Sequence, residues 1–451
     1  MTERMKAAAA AGAAAAFWLA AWMLVAALVA QPLILPGPGA VVAALLRLVC
    51  AVGTWAILAG SGVRILGGLA LAAVCGGLLA GISVRSRAFA RLAAPALSFV
   101  KATPVACVVV LLLIWLGSAR VSIAAVFLMA LPGVYFSLVE GLSQVDKPLE
   151  QMFRLHGVRG WRLFCAHTWR EVLPFVLSCA RAVIGMSWKA GVAAELIGMA
   201  VGTVGERIYQ AKLLIETADL LAWTVLVVAA SWACERVLVW LLRVSGPVAW
   251  GAAVRAHGHG LRGRARAAGD GAAAELALAV GDRAPWAPAL DGLVLHVPAG
   301  GRTCVMGASG VGKSTLLALA AGECAPCSMV FQDVRLVEGA SALDNVLVCA
   351  DARVDASSAA ALLRLLVPGI DVHARVAELS GGQRRRVEIA RALLCPGGAV
   401  ILDEPFTGLD IAARDACTEV VLDLLDGRML LLATHDAVDA QALNISDIIT
   451  L

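Results

Sequence analysis

The sequence predicts an all-α polytopic membrane domain of about six transmembrane helices, followed by an α/β P-loop domain built on a mostly parallel sheet. Three observations predict it. Of 451 residues, 60% are hydrophobic and 16% are charged, whereas soluble domains run at roughly 45–50% apolar and about 25% charged. Charge is also unevenly divided: up to Asp270 there are 24 Lys+Arg against 11 Asp+Glu (+13), and after it 13 against 22 (−9), which sum to the chain's +4. Near residue 275 the pattern changes from apolar runs of ~20 residues to short β-like runs alternating with helical ones.

Six stretches are long and apolar enough to cross a bilayer: about 9–30, 56–82, 93–116, 121–142, 174–199 and 219–242. The first exceeds the 7–15 apolar residues of a secretory signal and reads as a retained helix. Arg4 and Lys6, then Arg85, Arg87 and Arg91, then Lys147, Arg154, Arg159, Arg162 and Arg170, then Arg243 and Arg255 to Arg266 all fall on one face. The positive-inside rule therefore puts both termini and the C-terminal domain in the cytoplasm of a multi-pass protein of the cytoplasmic (inner) membrane. Arg64, Lys101, Arg181, Lys189, Glu195 and Asp219 lie within or at the ends of spans. Such charges mark a pathway by default, although snorkelling explains Arg64 and Lys101 equally well. The 12 cysteines are scattered, several in apolar runs, which excludes a disulfide scaffold.

The membrane domain is assigned to 1–243 and the P-loop domain to 275–451. Residues 244–274 are rich in Gly, Ala and Arg without apolar periodicity and read as a basic flexible linker. His257 and His259 within it do not fill a metal shell. In the C-terminal part, β-like runs at Leu293–Val297, Thr303–Met306, Val400–Leu402 and Met429–Ala433 alternate with helical segments.

Gly307-Ala-Ser309-Gly310-Val-Gly312-Lys313-Ser314-Thr315 follows one such run and opens a helical one. In that context the glycines let backbone N–H groups curl around phosphate, Lys313 reaches the β- and γ-phosphates, and the Ser314 hydroxyl ligates Mg²⁺. The run Val400-Ile-Leu-Asp403-Glu404 ends in two carboxylates, one suited to Mg²⁺ and the next to polarising water. Leu379-Ser380-Gly-Gly382-Gln383 precedes it, and Gln332, Gly408-Leu-Asp410 and Thr434-His435-Asp436 accompany it.

On these motifs the C-terminal part resembles the ATP-binding cassette (ABC) family, with Walker A, Q-loop, signature, Walker B, D-loop and H-loop in the family's order. The resemblance implies ATP and Mg²⁺ as cofactors and an ATP hydrolase coupled to transport. It makes Asp403, Ser314 and Gln332 metal-side residues, Glu404 the base, and His435 and Gln332 sensors of the γ-phosphate. Ser380, Gly382 and Gln383 would close over ATP held by a partner subunit, with Asp410 at that junction. Two departures stand out. Lys313 and Gln332 are only 19 positions apart, which implies a reduced β-subdomain. The adenine-stacking aromatic falls at Val280, and Trp286 between Pro285 and Pro288 is the candidate substitute.

The N-terminal part resembles permeases of nitrate/sulfonate/taurine-type importers through Leu35-Pro-Gly-Pro-Gly-Ala-Val41, Lys101-Ala-Thr-Pro-Val-Ala106, Ile114-Trp-Leu-Gly117, Leu149–Pro174, Trp188 and Ala193-Ala-Glu195-Leu-Ile197. There Gly157 matches the glycine of a coupling helix that docks on the ATPase, while Gln151-Met152-Phe153 replaces an acidic-Ala-Ala triplet and Arg170 stands where a proline is expected. The implied reading is a half-transporter in the bilayer: a homodimer working with a substrate-binding protein on a small anionic or organic solute. An exporter, whose usual arrangement is this fusion, and a cargo-free ATP-driven regulator are the alternatives. Arg384-Arg385-Arg386 reads as a solvated or interfacial helix face, and no nucleic acid is expected because the surrounding domain is net negative. Cys324 and Cys327 read as reduced thiols.

Overall fold

A computed structural model describes residues 3–256, 275–280 and 287–451. His257, His259, Pro285 and Trp286 lie outside the described residues. The chain divides into two units: 1–144 with 172–245, and 145–171 with 246–451.

The first unit is helical. It contains α1 (Glu3–Val29), α2 (Pro38–Cys50), α3 (Val52–Arg85), α4 (Arg87–Ala102), α5 (Val105–Leu116) and α6 (Ser118–Ser143), most of α9 (Trp169–Gly198), α10 (Val204–Leu213), and α11 (Thr217–Arg255) as far as Ser245. Among the described residues, five helical stretches are long and apolar enough to span a bilayer, or six if one bent pair counts as a span. That pair is α4 and α5, bent by 101°, so the stretch 93–116 is not the straight span expected from its hydropathy. The reason is local: Pro104 drives Thr103 into an extended conformation (φ −74°, ψ 128°) and halts α4 there. A second difference concerns 244–255, expected as linker, which continues α11 as helix through Pro247.

Small residues let the spans approach closely. A Cβ on Gly68 would lie 2.5 Å from the Ile123 carbonyl oxygen, one on Gly76 2.8 Å from Val134, and one on Gly191 2.5 Å from Ile65. The expected pathway charges are partly paired: Glu195, fully buried, accepts from the Ser61 hydroxyl at 2.8 Å and from the Gly205 amide at 3.4 Å, with Arg64 at 3.5 Å. Asp219 pairs with Arg47 at 2.8 Å. Lys101, Arg181 and Lys189 are exposed.

In the second unit, a five-stranded parallel sheet has the order β4 (Ser328–Val330), β5 (Ala399–Asp403), β6 (Met429–Thr434), β3 (Arg302–Met306), β7 (Asp447–Thr450). A separate antiparallel pair, β1 (Leu276–Ala279) and β2 (Val294–Val297), is all the antiparallel sheet among the described residues. Strands β5 and β6 are buried on both faces, which is why they read as unbroken apolar runs. Val400, Leu402, Leu430 and Leu432 face one core with α13 (Ala342–Leu347), α14 (Ala356–Leu366), α15 (Gly381–Leu394) and α16 (Ile411–Leu424). Ile401, Leu431 and Ala433 face another with α12 (Lys313–Glu323). The short α17 (Ala437–Ala442) follows β6.

That second core also takes in the segment between two spans. Here α7 (Lys147–Leu155) is N-capped by Asp146, whose carboxylate accepts from the Leu149 amide at 3.1 Å, and α8 (Gly160–Leu163) leads into a π-helical turn, Phe164–Thr168. Gly157 ends α7 at φ +80°. Its amide donates to Arg154 O at 3.2 Å and the Val158 amide donates to Phe153 O at 2.8 Å, a Schellman closure that only glycine enters without strain. Met152 and Phe153, which replace small residues of the importer pattern, are wholly buried in this core. The Cys327 amide donates to Leu155 O at 3.0 Å, and the Met329 amide donates to His156 Nε2 at 3.1 Å.

Burial, with Arg391 nearby, pushes the His156 imidazole down to about 3 from its ordinary 6.5. The folded state therefore holds it neutral, while an unfolded chain protonates it below about pH 6.5. The unfolded state then binds the extra proton, so this residue's contribution to stability should fall by about 1.4 kcal/mol per pH unit as pH drops from 6.5 towards 3. Thermal unfolding of the purified full chain at pH 7.5, 6.5 and 5.5 should show this loss. The His156→Gln variant should be less stable at pH 7.5 yet lose less on acidification.

Candidate functional site

Parallel pairing decides the site. Met306 lies opposite Thr434, and Asp403 opposite Ala433. Strands β3, β5 and β6 thus end at one edge, where the glycine loop, the paired carboxylates and His435 leave the sheet.

The glycine loop turns through Gly310 (φ +84°) and Gly312 (φ +115°), conformations that side chains resist, and delivers Lys313 to the first position of α12. The Lys313 ammonium is buried and donates to Gly307 O at 2.7 Å and Ala308 O at 3.0 Å, so it lies folded across the concavity of its own loop. Ser309 and Ser314 are exposed, and Thr315 is half-buried.

Asp403, at the end of β5, is buried, and its Oδ1 has no hydrogen-bond partner among the described residues. Burial pushes this carboxyl above its usual range. A hydrogen bond from Ser314 opposes that shift, the adjacent Glu404 adds to it, and Arg385 and Lys313 oppose it. A buried carboxylate oxygen without a donor, beside a serine hydroxyl, fits a hard divalent cation such as Mg²⁺. Glu404 takes a left-handed backbone (φ +44°), unusual for a residue with a side chain. Its carboxylate lies 3.3 Å from His435 Nδ1, and the Thr407 hydroxyl is 3.4 Å away. Its amide donates to Ala433 O at 2.9 Å, which ties β5 to β6 at the edge.

The other motif residues are placed by helix caps. Ser380 caps α15 through a reciprocal pair, the Gln383 amide to Ser380 Oγ at 3.3 Å and the Ser380 amide to Gln383 Oε1 at 2.9 Å. Asp410 caps α16, accepting from the Ala413 amide at 2.7 Å. Gln332 and Gly382 line one open cleft together with Arg385 and Thr407. Lys313, Ser314, Asp403, Glu404 and His435 thus gather at the sheet edge, while the side chains of Ser380, Gln383 and Asp410 are spent on caps. Val280 is buried, its amide donating to Leu293 O at 3.0 Å, and offers no ring.

Arg385 departs from the solvated or interfacial face expected for the three arginines. It is 3% exposed, and its guanidinium donates to four backbone carbonyls and Glu388. Arg384 and Arg386 do remain partly exposed, each also bound to backbone carbonyls. Sequence reasoning missed Glu388, Arg391 and Arg335. The available signal was charges of alternating sign at 385, 388 and 391, an i, i+3, i+6 row on one helix face.

Comparison with known proteins identifies the family. Residues 73–247 match the family model for the binding-protein-dependent transport system inner membrane component, and residues 290–407 match that for the ABC transporter. The aliphatic sulfonates import ATP-binding protein SsuB of Escherichia coli K12 is 36% identical over 176 residues, covering 34% of this chain and 68% of the relative. The chain belongs to the ABC transporter family. A related SsuB 1 of Rhizobium johnstonii is 37% identical over 175 residues, with 34% and 64% covered, so the chain spans just under two thirds of that protein. A solved dimeric ATP-binding cassette bound to ADP and Pi has a TM-score of 0.33 and 24% identity, covering 36% of this chain and 86% of that one. By these family matches the chain joins a multi-pass permease domain to an ABC ATPase domain in one polypeptide.

Proposed function

We propose that this chain is an importer half-transporter: its ATPase hydrolyses ATP to drive a small anionic solute of the sulfonate class into the cytoplasm. The observation that carries the reading is the gathering of Lys313, Asp403, Glu404 and His435 at one sheet edge, in a chain that also contains an importer-type permease. The solute class rests on the relatives named for aliphatic sulfonates and on the permease resemblance. Two chains form the working unit, because Ser380 and Gly382 complete a site whose P-loop belongs to the other copy. A substrate-binding protein delivers solute on the far side of the cytoplasmic membrane, and the excess of Lys and Arg on one face of the spans supports an orientation with both termini and the ATPase inside.

In the mechanism, the glycine loop amides and the N-terminus of α12 hold the β- and γ-phosphates, and Lys313 exchanges its two loop carbonyls for phosphate oxygens. Ser314, Asp403 and Gln332 would hold Mg²⁺, which neutralises phosphate charge when bound. The Glu404 carboxylate takes a proton from water as the water oxygen attacks the γ-phosphorus. The bond to the β,γ-bridging oxygen breaks, and ADP and phosphate leave. His435 holds the Glu404 carboxylate in place and meets the γ-phosphate. Closure of two cassettes on ATP moves the 149–174 segment, and hydrolysis releases it.

Three outcomes test this reading. In Glu404→Gln, ATP affinity should stay near the parental value while turnover falls by orders of magnitude, on the order of 10²-fold or more; Lys313→Ala should instead lose affinity. Parental turnover in purified Glu404→Gln would remove the base assignment. A second measurement addresses coupling: Gly157→Trp cannot keep φ +80° without strain, so uptake of a radiolabelled alkanesulfonate into proteoliposomes should collapse while basal hydrolysis persists. Unchanged uptake would mean that 149–174 is not the transmission segment. The third concerns the base. With Val280 at the adenine position, and with stacking contributing on the order of 1–3 kcal/mol per base, ATP should be preferred only weakly over GTP. A strong preference that vanishes in Trp286→Ala would identify Trp286 as the platform, and a strong preference surviving it would place adenine elsewhere.

A further inference from the structure

Three charged side chains on one face of α15 are withdrawn from water: Arg385 at 3% exposure, and Glu388 and Arg391 at zero. Burying two cations with one anion is costly, and an apolar trio of similar volume is often no less stable. Their partners show what the arrangement organises. From Arg385, Nε donates to Pro405 O at 3.0 Å, and Nη2 donates to Asp403 O at 2.9 Å and Glu404 O at 2.6 Å. Nη1 donates to Phe331 O and to Glu388 Oε2, the latter at 2.9 Å. One planar guanidinium therefore holds the three consecutive carbonyls around Glu404, the residue whose backbone is left-handed.

The other end of the row grips a different element. Glu388 Oε1 accepts from the Arg335 amide at 3.1 Å, and Arg391 Nη1 donates to Arg335 O. The Arg335 side chain in turn donates to Pro148 O at 3.1 Å and Gln151 Oε1 at 3.3 Å, both on α7, and its guanidinium stacks 3.7 Å from the centre of the Phe331 ring. Residues 331–335, with Gln332 among them, are thus clamped at both ends. Every link from Pro148 to the Glu404 carbonyl is a hydrogen bond or a charge pair.

We propose that Arg385 is the positioning residue for the Glu404 base, and that the row Arg335–Glu388–Arg385 carries the position of α7 to that base. The proposal rests on the reading of Glu404 as the base. Arg385 itself touches neither water nor phosphate. It sets the backbone from which the carboxylate projects, so its loss should lower turnover without weakening ATP capture, which belongs to the glycine loop at the end of β3.

The test is a kinetic double-mutant cycle on the purified full-length chain in lipid nanodiscs, following ATP hydrolysis across ATP concentrations. Arg385→Gln should reduce kcat on the order of 10-fold or more with KM changed less than about 3-fold, and Arg385→Lys, which keeps the charge but not the planar fork, should recover part of the loss. Arg335→Ala should reduce kcat on its own by about 3-fold and have no further effect in the Arg385→Gln background, because the two act through one connection. Parental kcat in Arg385→Gln, a rise in KM matching the fall in kcat, or multiplying effects in the double variant would each overturn the proposal. If Arg385→Gln does not fold, Glu388→Gln, which keeps the shape and removes the charge, should show the same split of kcat from KM, and a parental kcat there counts against the proposal equally. Parental turnover in Glu404→Gln would overturn the base assignment alone, while the cycle between Arg335 and Arg385 is still decided by its own additivity.

Discussion

The parallel register of three central strands is the constraint on which the rest of the ATPase unit depends. Since β3, β5 and β6 run the same way and are paired nearly in step, their carboxyl ends come out together, Met306 beside Thr434 and Asp403 beside Ala433. The glycine loop with Lys313, Asp403 with Glu404, and His435 all leave from that line. A parallel sheet covered on both faces keeps its strands apolar to their last residue, so the first polar side chains after them face one another across a short edge. Lys313 folds over its own loop there, and His435 reaches Glu404 because a single strand pairing separates their backbones.

The other organising feature is where the 145–171 segment puts its side chains. Met152 and Phe153 are fully buried with residues of β4 and α12 in one core, and His156, also fully buried, meets Met329 of β4. A surface contact between separable proteins is normally rimmed by exposed polar groups, and here a neutral imidazole and two large apolar side chains are interior instead. Joining both proteins in one chain removes the association entropy such a contact otherwise opposes. The short stretch between Lys313 and Gln332 leaves little antiparallel sheet of the ATPase's own, among the described residues only β1 with β2.

Much of this architecture was legible in the sequence. Strands β2, β3, β5 and β6 announce themselves as apolar runs because burial on both faces, or on alternate positions for β2, leaves no ambiguity of period. Strands β1, β4 and β7, three or four residues long, were not read from the sequence. The break between α4 and α5 was visible as Pro104, but hydropathy alone reads straight through a proline whose effect is conformational. The continuation of α11 past Ser245 went the other way. Gly, Ala and Pro there suggest a linker, whereas Trp250 and Ala253 bury themselves in the core of the second unit and hold the helix.

The sequence by itself determined the division into an apolar helical part and a P-loop part, the motif order of the ATPase, and the glycine that closes α7. Each of these is a local matter of periodicity, composition or backbone freedom, carried by neighbours a few positions apart. Tertiary structure alone decided that Arg385 is buried while Arg384 and Arg386 are partly exposed, that Glu195 meets Ser61 and Arg64, and that His156 is neutral against β4. Those outcomes depend on which carbonyls and charges arrive from residues 18 to 173 positions away. The cost of burying a charge or an imidazole is set by the partners that meet it, and a sequence read along its length does not contain their distances.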